Sequence, residues 1–254
     1  MDLTDLSWPA VAALSKDTPV VFPIAAVEQH GHHLPVFTDS LLLGEVLRRA
    51  REPLSRRVLF APLQWLGNSD HHLDFAGTLS AAPRTYLDLL NGLAENFLQH
   101  GFRRLVFLNG HGGNDVPGRQ AVFELRQRHR QREDVLFLMA TYWSLGGRTW
   151  ESKPELTLHQ REMGHACEWE TSMILQLAPQ LVGDYRAATP VEPGTPFTPA
   201  TRGWITRERT GPRHIGWPHL ATAEKGEHLF KVFAGDVVAL LERVIRWDGK
   251  SWNG

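Results

Sequence analysis

Apolar and polar positions fall into blocks whose period changes along the chain, and those blocks set the expected elements. Residues 20–26 (VVFPIAA) form a continuous apolar run about as long as a buried strand. Residues 40–51 (SLLLGEVLRRAR) follow with helical spacing, and Asp39 or Ser40 is placed to cap that helix. A second strand is expected at 58–63, followed by a polar loop at 67–78 (GNSDHHLDFAGT). Residues 83–100 read as an amphipathic helix closed by Gly101. A third strand at 104–108 runs into the turn 109–114 (NGHGGN). A helix with a basic, exposed face is expected at 116–132, and a fourth strand at 135–141. Residues 164–177 read as a helix, and 221–247 as a last helical stretch with Gly226 and Gly235 as candidate breaks. Between them, 189–216 is rich in Pro, Gly and Thr and reads as a long loop or arm. Strands alternating with helices imply an α/β fold whose mostly parallel sheet is covered on both faces. With no repeat and no low-complexity segment, residues 1–254 are expected to form one domain that includes the arm.

Composition narrows the class. A chain of 254 residues can bury a large core, and 42% apolar with 22% charged residues is ordinary for a soluble globular protein. A net charge of −1 gives no bulk attraction to nucleic acid. Cys167 is the single cysteine and cannot form an internal disulfide, which fits a reducing compartment. The first residues lack a basic segment followed by a long apolar one, and no apolar run approaches the length of a membrane span. The expected setting is the cytoplasm, with a small-molecule substrate and neither nucleic acid nor membrane as partner.

Candidate chemistry sits where the strands end. Glu28, His30, His32, His33 and Asp39 directly follow the first apolar run. In open α/β sheets, ligands bind at the carboxyl ends of strands. Neutral imidazole with carboxylate is the usual shell of zinc or manganese. Charge beside a buried strand costs several kcal/mol unless it is paired or metal-bound. A second cluster is His111, set between glycines that let the backbone bend sharply and bring an imidazole close to a neighbour. A third is His165, Glu168 and Glu170 in GHACEWETS. On a helix, 165 and 168 share a face while 170 points elsewhere, so His165 with Glu168, or Glu170 alone, would face one site. Asp70, His71 and His72 form a fourth cluster in the loop after the second strand. Plainer readings stand beside these: NGHGGN as only a tight connection, His71 as a loop hydrogen-bonding residue, and Trp169 and Met173 as core. Trp143, Trp204 and Trp217 lie in loop-like regions, with interface or substrate-wall roles open to them.

Taken together, the motifs resemble the creatininase (creatinine amidohydrolase) family. Its pattern E-x-H-G-x-H-L-P followed by Asp is matched by Glu28, His30, Gly31, His33, Leu34, Pro35 and Asp39. N-G-H-G-G-N is matched by residues 109–114, and H-x-x-E-x-E-T-S by His165, Glu168, Glu170, Thr171 and Ser172. The resemblance spans roughly residues 6–179. It implies a three-layer α/β/α sandwich, two divalent metal ions per chain (zinc and/or manganese, with iron(II) as a further fit) and a hexameric homo-oligomer. Asp39 would bridge the metals. Glu28 and His111 would complete one shell and His30 the other. Creatininase itself takes a second-metal glutamate from the position of Gly113, and Glu170 is the expected replacement. His165 matches the catalytic histidine, and His72, Glu168 and Arg161 are expected to contact substrate. Where creatininase carries tryptophan, aspartate and glutamate ahead of that histidine, this chain has Arg161, Glu162 and Gly164, so a substrate other than creatinine is expected.

The implied reaction is hydrolysis of a non-peptide C–N bond, in a cyclic amide or formamide. Two metals about 3.5–4 Å apart can share and acidify a water molecule. The oxyanion is stabilised electrostatically, and His165 would pass a proton to the leaving nitrogen. Two alternatives remain at this level: a hydrolase opening an oxidised cyclic polyol or keto-inositol, and a degenerate, non-catalytic ligand-binding member.

Overall fold

The computed structural model of the chain describes residues 1–146 and 158–252. Strand burial explains the sheet order. β1 (Val20–Ile24) and β3 (Arg104–Asn109) are buried along their whole length and lie in the middle. β2 (Leu59–Phe60) and the half-buried β4 (Leu136–Thr141) flank them in the order β2-β1-β3-β4. All three pairings are parallel. Val20 pairs with Leu105 and Ile24 with Asn109, and Asn109 pairs in turn with Thr141. The carboxyl ends of β1, β3 and β4 therefore lie level at one edge of the sheet, which is where the polar motifs emerge.

The helices are α1 (Trp8–Ala12), α2 (Thr38–Arg51), α3 (Pro83–Gln99), α4 (Asp115–Arg128), α5 (Glu168–Leu177), α6 (Thr206–Arg209) and α7 (Ala223–Arg246). Strand side chains alternate between faces. Val21, Ala25, Val106 and Leu108 pack with α2, α5 and α7 in one core. Val20, Phe22, Ile24, Leu105 and Phe107 pack with α3 and α4 in the other. The result is the expected three-layer α/β/α sandwich. No helix among the described residues is long and apolar enough to cross a membrane.

Several boundaries differ from the expectations, each for a local reason. The second strand shrinks to two residues, the ladder stopping where Pro23 of β1 has no N–H to donate across to it. The chain nevertheless stays beside β1, with Gln64 N–H donating to the Pro23 carbonyl at 2.9 Å. Neither Asp39 nor Ser40 caps α2, which starts at Thr38. Asp39 sits inside its first turn, and Ser40 Oγ donates to the Ala26 carbonyl at 2.9 Å. α4 ends at Arg128, where Arg126 donates to the carbonyls of His129 and Arg132. α5 starts four residues later than expected, because His165 is held extended by a two-way backbone pairing with Ile215 at 3.0 and 2.8 Å. α7 runs unbroken. At Gly226 it approaches α5 so closely that a Cβ would overlap the Ser172 carbonyl. The 189–216 arm holds the short α6, the pairing of Ile215 with His165 and an isolated pairing of Val191 with Gly216.

Phe107 is fully buried and rests against the Phe22 ring at 5.2 Å. Phe107→Ala should cost about 3–5 kcal/mol through lost burial and the cavity left behind. Urea unfolding of the variant beside the parent chain measures this.

Candidate metal centre

Four segments converge above the level strand ends. After β1 the chain turns back at Gly31, whose φ of +62° is a left-handed conformation that a side chain resists. Glu28 N–H closes the loop by donating to the Val36 carbonyl at 2.9 Å. This turn delivers Glu28 and His30, both almost fully buried. α2 delivers Asp39 from its first turn. The NGHGGN turn delivers His111 and is clamped by its own asparagines. Asn109 Oδ1 accepts from His111 N–H at 3.0 Å, and Asn114 Nδ2 donates to the Ala25 carbonyl at 3.0 Å. α5 delivers Glu170, whose Oε2 accepts the Cys167 N–H at 3.4 Å at the helix start.

Two ligand groups share Asp39: Glu28 with Asp39 and His111, and His30 with Asp39 and Glu170. In each, one donor atom per residue lies within 4.8 Å of the others. The tautomers follow from the outer partners. His30 Nδ1–H donates to the Glu28 carbonyl at 3.1 Å, which leaves Nε2 facing Asp39 Oδ1 at 3.2 Å and Glu170 Oε1 at 3.6 Å. His111 Nε2–H donates to the Asn68 carbonyl at 2.9 Å, which leaves Nδ1 facing Asp39 Oδ2 at 2.9 Å. With neutral rings, two imidazole nitrogens would thus face carboxylate oxygens lone pair against lone pair, an arrangement that calls for positive charge between them. Glu28 Oε2, His30 Nε2 and Asp39 Oδ2 are buried and make no hydrogen bond. An imidazole that donates its far N–H to a carbonyl is the usual form of a metal-ligating histidine. The residues therefore fit divalent metal.

The electrostatics point the same way. Burial pushes the Glu28 carboxyl up to about 7, against the pull of His111. Burial also opposes a proton on His30 and on His111. Asp39 and Glu170 nonetheless hold His30 well above its ordinary value, and Glu28 and Asp39 raise His111 to about 9. The carboxylates demand positive charge strongly enough to overturn burial, and bound cations are the usual supply in such sites.

The other expected residues divide. His72 and His165 lie against the centre: His72 Nε2 is 3.4 Å and His165 Nδ1 is 3.5 Å from Glu28 Oε1. Burial, then His30 and His72, hold His165 well below its ordinary value, so its ring is neutral. A cavity of about 960 Å³ opens over Glu28, Asp39, His111 and Glu170, with His71 and Trp204 in its wall. Glu168 and Arg161 are not part of it. Arg161 is exposed outside. Glu168 is fully buried on the opposite side of α5, where it accepts from Gln160 N–H at 2.8 Å and from Lys225 Nζ at 2.6 Å. The expected face-sharing of His165 with Glu168 fails because residue 165 precedes the helix. His165 and Glu170 reach the site together instead. The expectations had no place for Gln29, whose side chain touches both His72 and His165. They had none for Lys225 either, although a buried Glu168 signals that some cation must be near it.

A parallel α/β sandwich with a buried carboxylate–imidazole centre at its strand ends defines a metal-binding hydrolase of the amidohydrolase type. The chain belongs to the creatininase family: the family model for creatinine amidohydrolase matches residues 4–241. It is 32% identical to a mycofactocin precursor peptide peptidase of Mycobacterium tuberculosis, over 92% of this chain and 87% of that one. It is 28% identical to the creatinine amidohydrolase of Pseudomonas putida, over 90% of this chain and 91% of that one. Among solved structures, a manganese form of creatininase superposes with a TM-score of 0.80 at 26% identity, covering 97% of this chain and 99% of that one. A zinc–zinc form of a creatininase mutant gives 0.80 at 25% identity, covering 97% and 98%.

Glu168→Ala should strand the Lys225 ammonium, whose side chain is 17% exposed. Leaving one partner of a buried pair typically costs about 3–5 kcal/mol. Chemical unfolding should show that loss while elemental analysis shows unchanged metal content.

Proposed function

We propose that this chain is a dinuclear metal-dependent amidohydrolase that uses water to cleave a C–N bond in a small molecule. The observation that carries the reading is the pair of buried ligand groups sharing Asp39. Glu28, Asp39 and His111 would hold one divalent ion and His30, Asp39 and Glu170 the other. The zinc–zinc and manganese creatininase structures support either metal as occupant. When bound, such ions supply Lewis acidity, lowering the pKa of water and polarising a carbonyl.

The chain's own residues supply the rest. Three carboxylates offset most of the charge of two divalent ions. The carbonyls of Glu28 and Asn68 fix the rings of His30 and His111, so each presents a bare nitrogen inward. His165 lies at the cavity wall with Nδ1 3.5 Å from Glu28 Oε1, placed to pass a proton to the leaving nitrogen. Trp143, Met163 and Trp204 add an apolar wall that limits water around the reacting bond.

Within that reaction we favour a non-peptide bond in a cyclic amide or formamide, in line with the creatinine amidohydrolase relative. Arg161 is exposed outside the cavity, so nothing at that position stacks on a ring as a tryptophan would. Hydrolysis of a short peptide is the second reading. A cavity near 960 Å³ lies at the upper end of ordinary ligand pockets and far exceeds a small ring, and the mycobacterial relative is a peptidase.

Elemental mass spectrometry of protein purified without chelators should find about two divalent ions per chain, as two-metal sites require. Glu170→Gln should lose about one of them, the ion held through His30, while Asp39→Asn should lose both and all turnover. Lactams, formamides and short peptides tested with the parent protein would separate the two readings. Full metal content and activity in Asp39→Asn would sink the dinuclear reading.

A further inference from the structure

Gln29 stands between two expected metal ligands, yet its side chain turns to two other histidines. It is 6% exposed. The orientation of its amide is decided by Gly31, whose N–H donates to Gln29 Oε1 at 2.9 Å. The opposite arm, Nε2, is then an NH₂ group with two hydrogens and no accepting lone pair. It lies 2.8 Å from His72 Nδ1 and 2.8 Å from His165 Nε2.

His72 Nδ1 must therefore accept, and the Thr206 hydroxyl at 2.7 Å adds a second donor to the same nitrogen. The ring proton of His72 sits on Nε2 and points to Glu28 Oε1 at 3.4 Å. His165 Nε2 also lies 2.8 Å from the Gln29 backbone carbonyl. That nitrogen has a partner from Gln29 in either tautomer: the carbonyl when it carries the proton, the amide when it does not. The two rings stack at 4.4 Å and 26°, so fixing one restricts the other.

We propose that Gln29 is the positioning residue of this site, its side-chain amide holding the His72 and His165 rings in place over Glu28 and fixing His72 in the Nε2–H tautomer. The side-chain amide of Gln29 acts on Glu28 through these imidazoles. The use made of His165 rests on the hydrolase reading; the tautomer of His72 does not.

The test uses full-length, zinc-loaded protein with ¹⁵N-labelled histidine, the His72 signals being assigned by their loss in His72→Gln. Nitrogen NMR should show His72 with a bare Nδ1 and a protonated Nε2. Gln29→Glu keeps an acceptor for Gly31 N–H and nearly the same shape, but turns an oxygen toward both rings. It should move the His72 proton to Nδ1. On any substrate found in the amide screen it should lower kcat by about 10–100-fold, the usual effect of losing a group that orients the residues around a metal, with little change in KM. A protonated Nδ1 in the parent protein, or an unchanged His72 spectrum in Gln29→Glu, would overturn the proposal. If Gln29→Glu does not fold, the parent spectrum still decides. The expected tautomer in a protein that hydrolyses nothing would leave this inference standing and remove the hydrolase reading.

Discussion

The Asp39 carboxylate is the interaction on which the rest of the site depends. One oxygen faces His30 from the loop after β1, and the other faces His111 from the loop after β3. The carboxylate itself projects from the first turn of α2 and is almost fully buried. A buried charge is tolerated only where opposite charge or hydrogen bonds meet it. His30 and His111 hold Asp39 well below the usual carboxylate range in spite of its burial. Two adjacent central strands and one covering helix are thereby tied to a single group. The level register of β1 and β3 brings their loops within reach of it.

α5 shows how the opposite layer is aimed at that group. Its two glutamates are two residues apart, about 200° around a helix, so they cannot face the same way. Glu168 turns away from the cavity, to Lys225 of α7 and the backbone of His159 and Gln160. Gly226 lets α7 lie directly against the α5 backbone. With that side anchored, Glu170 is left facing His30. Its second oxygen is occupied at the helix start by the Cys167 N–H, which restricts its rotation. Glu168 thus ties α5 to α7 and to the segment before it, on the side of the helix away from the carboxylate that faces His30.

Much of this was legible in the sequence, and what was not depended on distant parts of the chain. The runs at 20–26 and 104–108 read as buried strands because both faces of a parallel strand are apolar. Glu28, His30, Asp39 and His111 were legible because they directly follow such strands or open the next helix. The start of α5 was not, since His165 is kept extended by Ile215, fifty residues away along the arm. That pairing also explains why a helical face drawn from 165 to 168 misassigned Glu168. Gln29 was hidden for a related reason. Strand alternation would send its side chain away from those of Glu28 and His30, but the left-handed turn at Gly31 curls the chain and gives the amide a backbone partner. Arg161 is near His165 in sequence but is exposed outside the cavity.

The source of the second carboxylate can be argued from packing alone. A Cβ at Gly113 would overlap the Asn68 carbonyl oxygen and lie 2.5 Å from His111 Nε2, far inside ordinary contact, and a tight 3.1 Å from the His71 ring. Residue 113 therefore cannot carry a glutamate without displacing the imidazole that faces Asp39. The space such a side chain would need is occupied by His71, packed at 4.1 Å on His72 and edge-on to Trp204 at 4.9 Å. The carboxylate opposite His30 has to come from another element, and Glu170 is the acidic group that reaches it. Holding that charge on α5 leaves the turn side of the cavity to His71, Trp204 and the Asp115–Arg119 ion pair at the start of α4. Within that wall the rings are uncharged, burial lowering His71 to about 4, and His71 stacks 6.0 Å from the His111 ring.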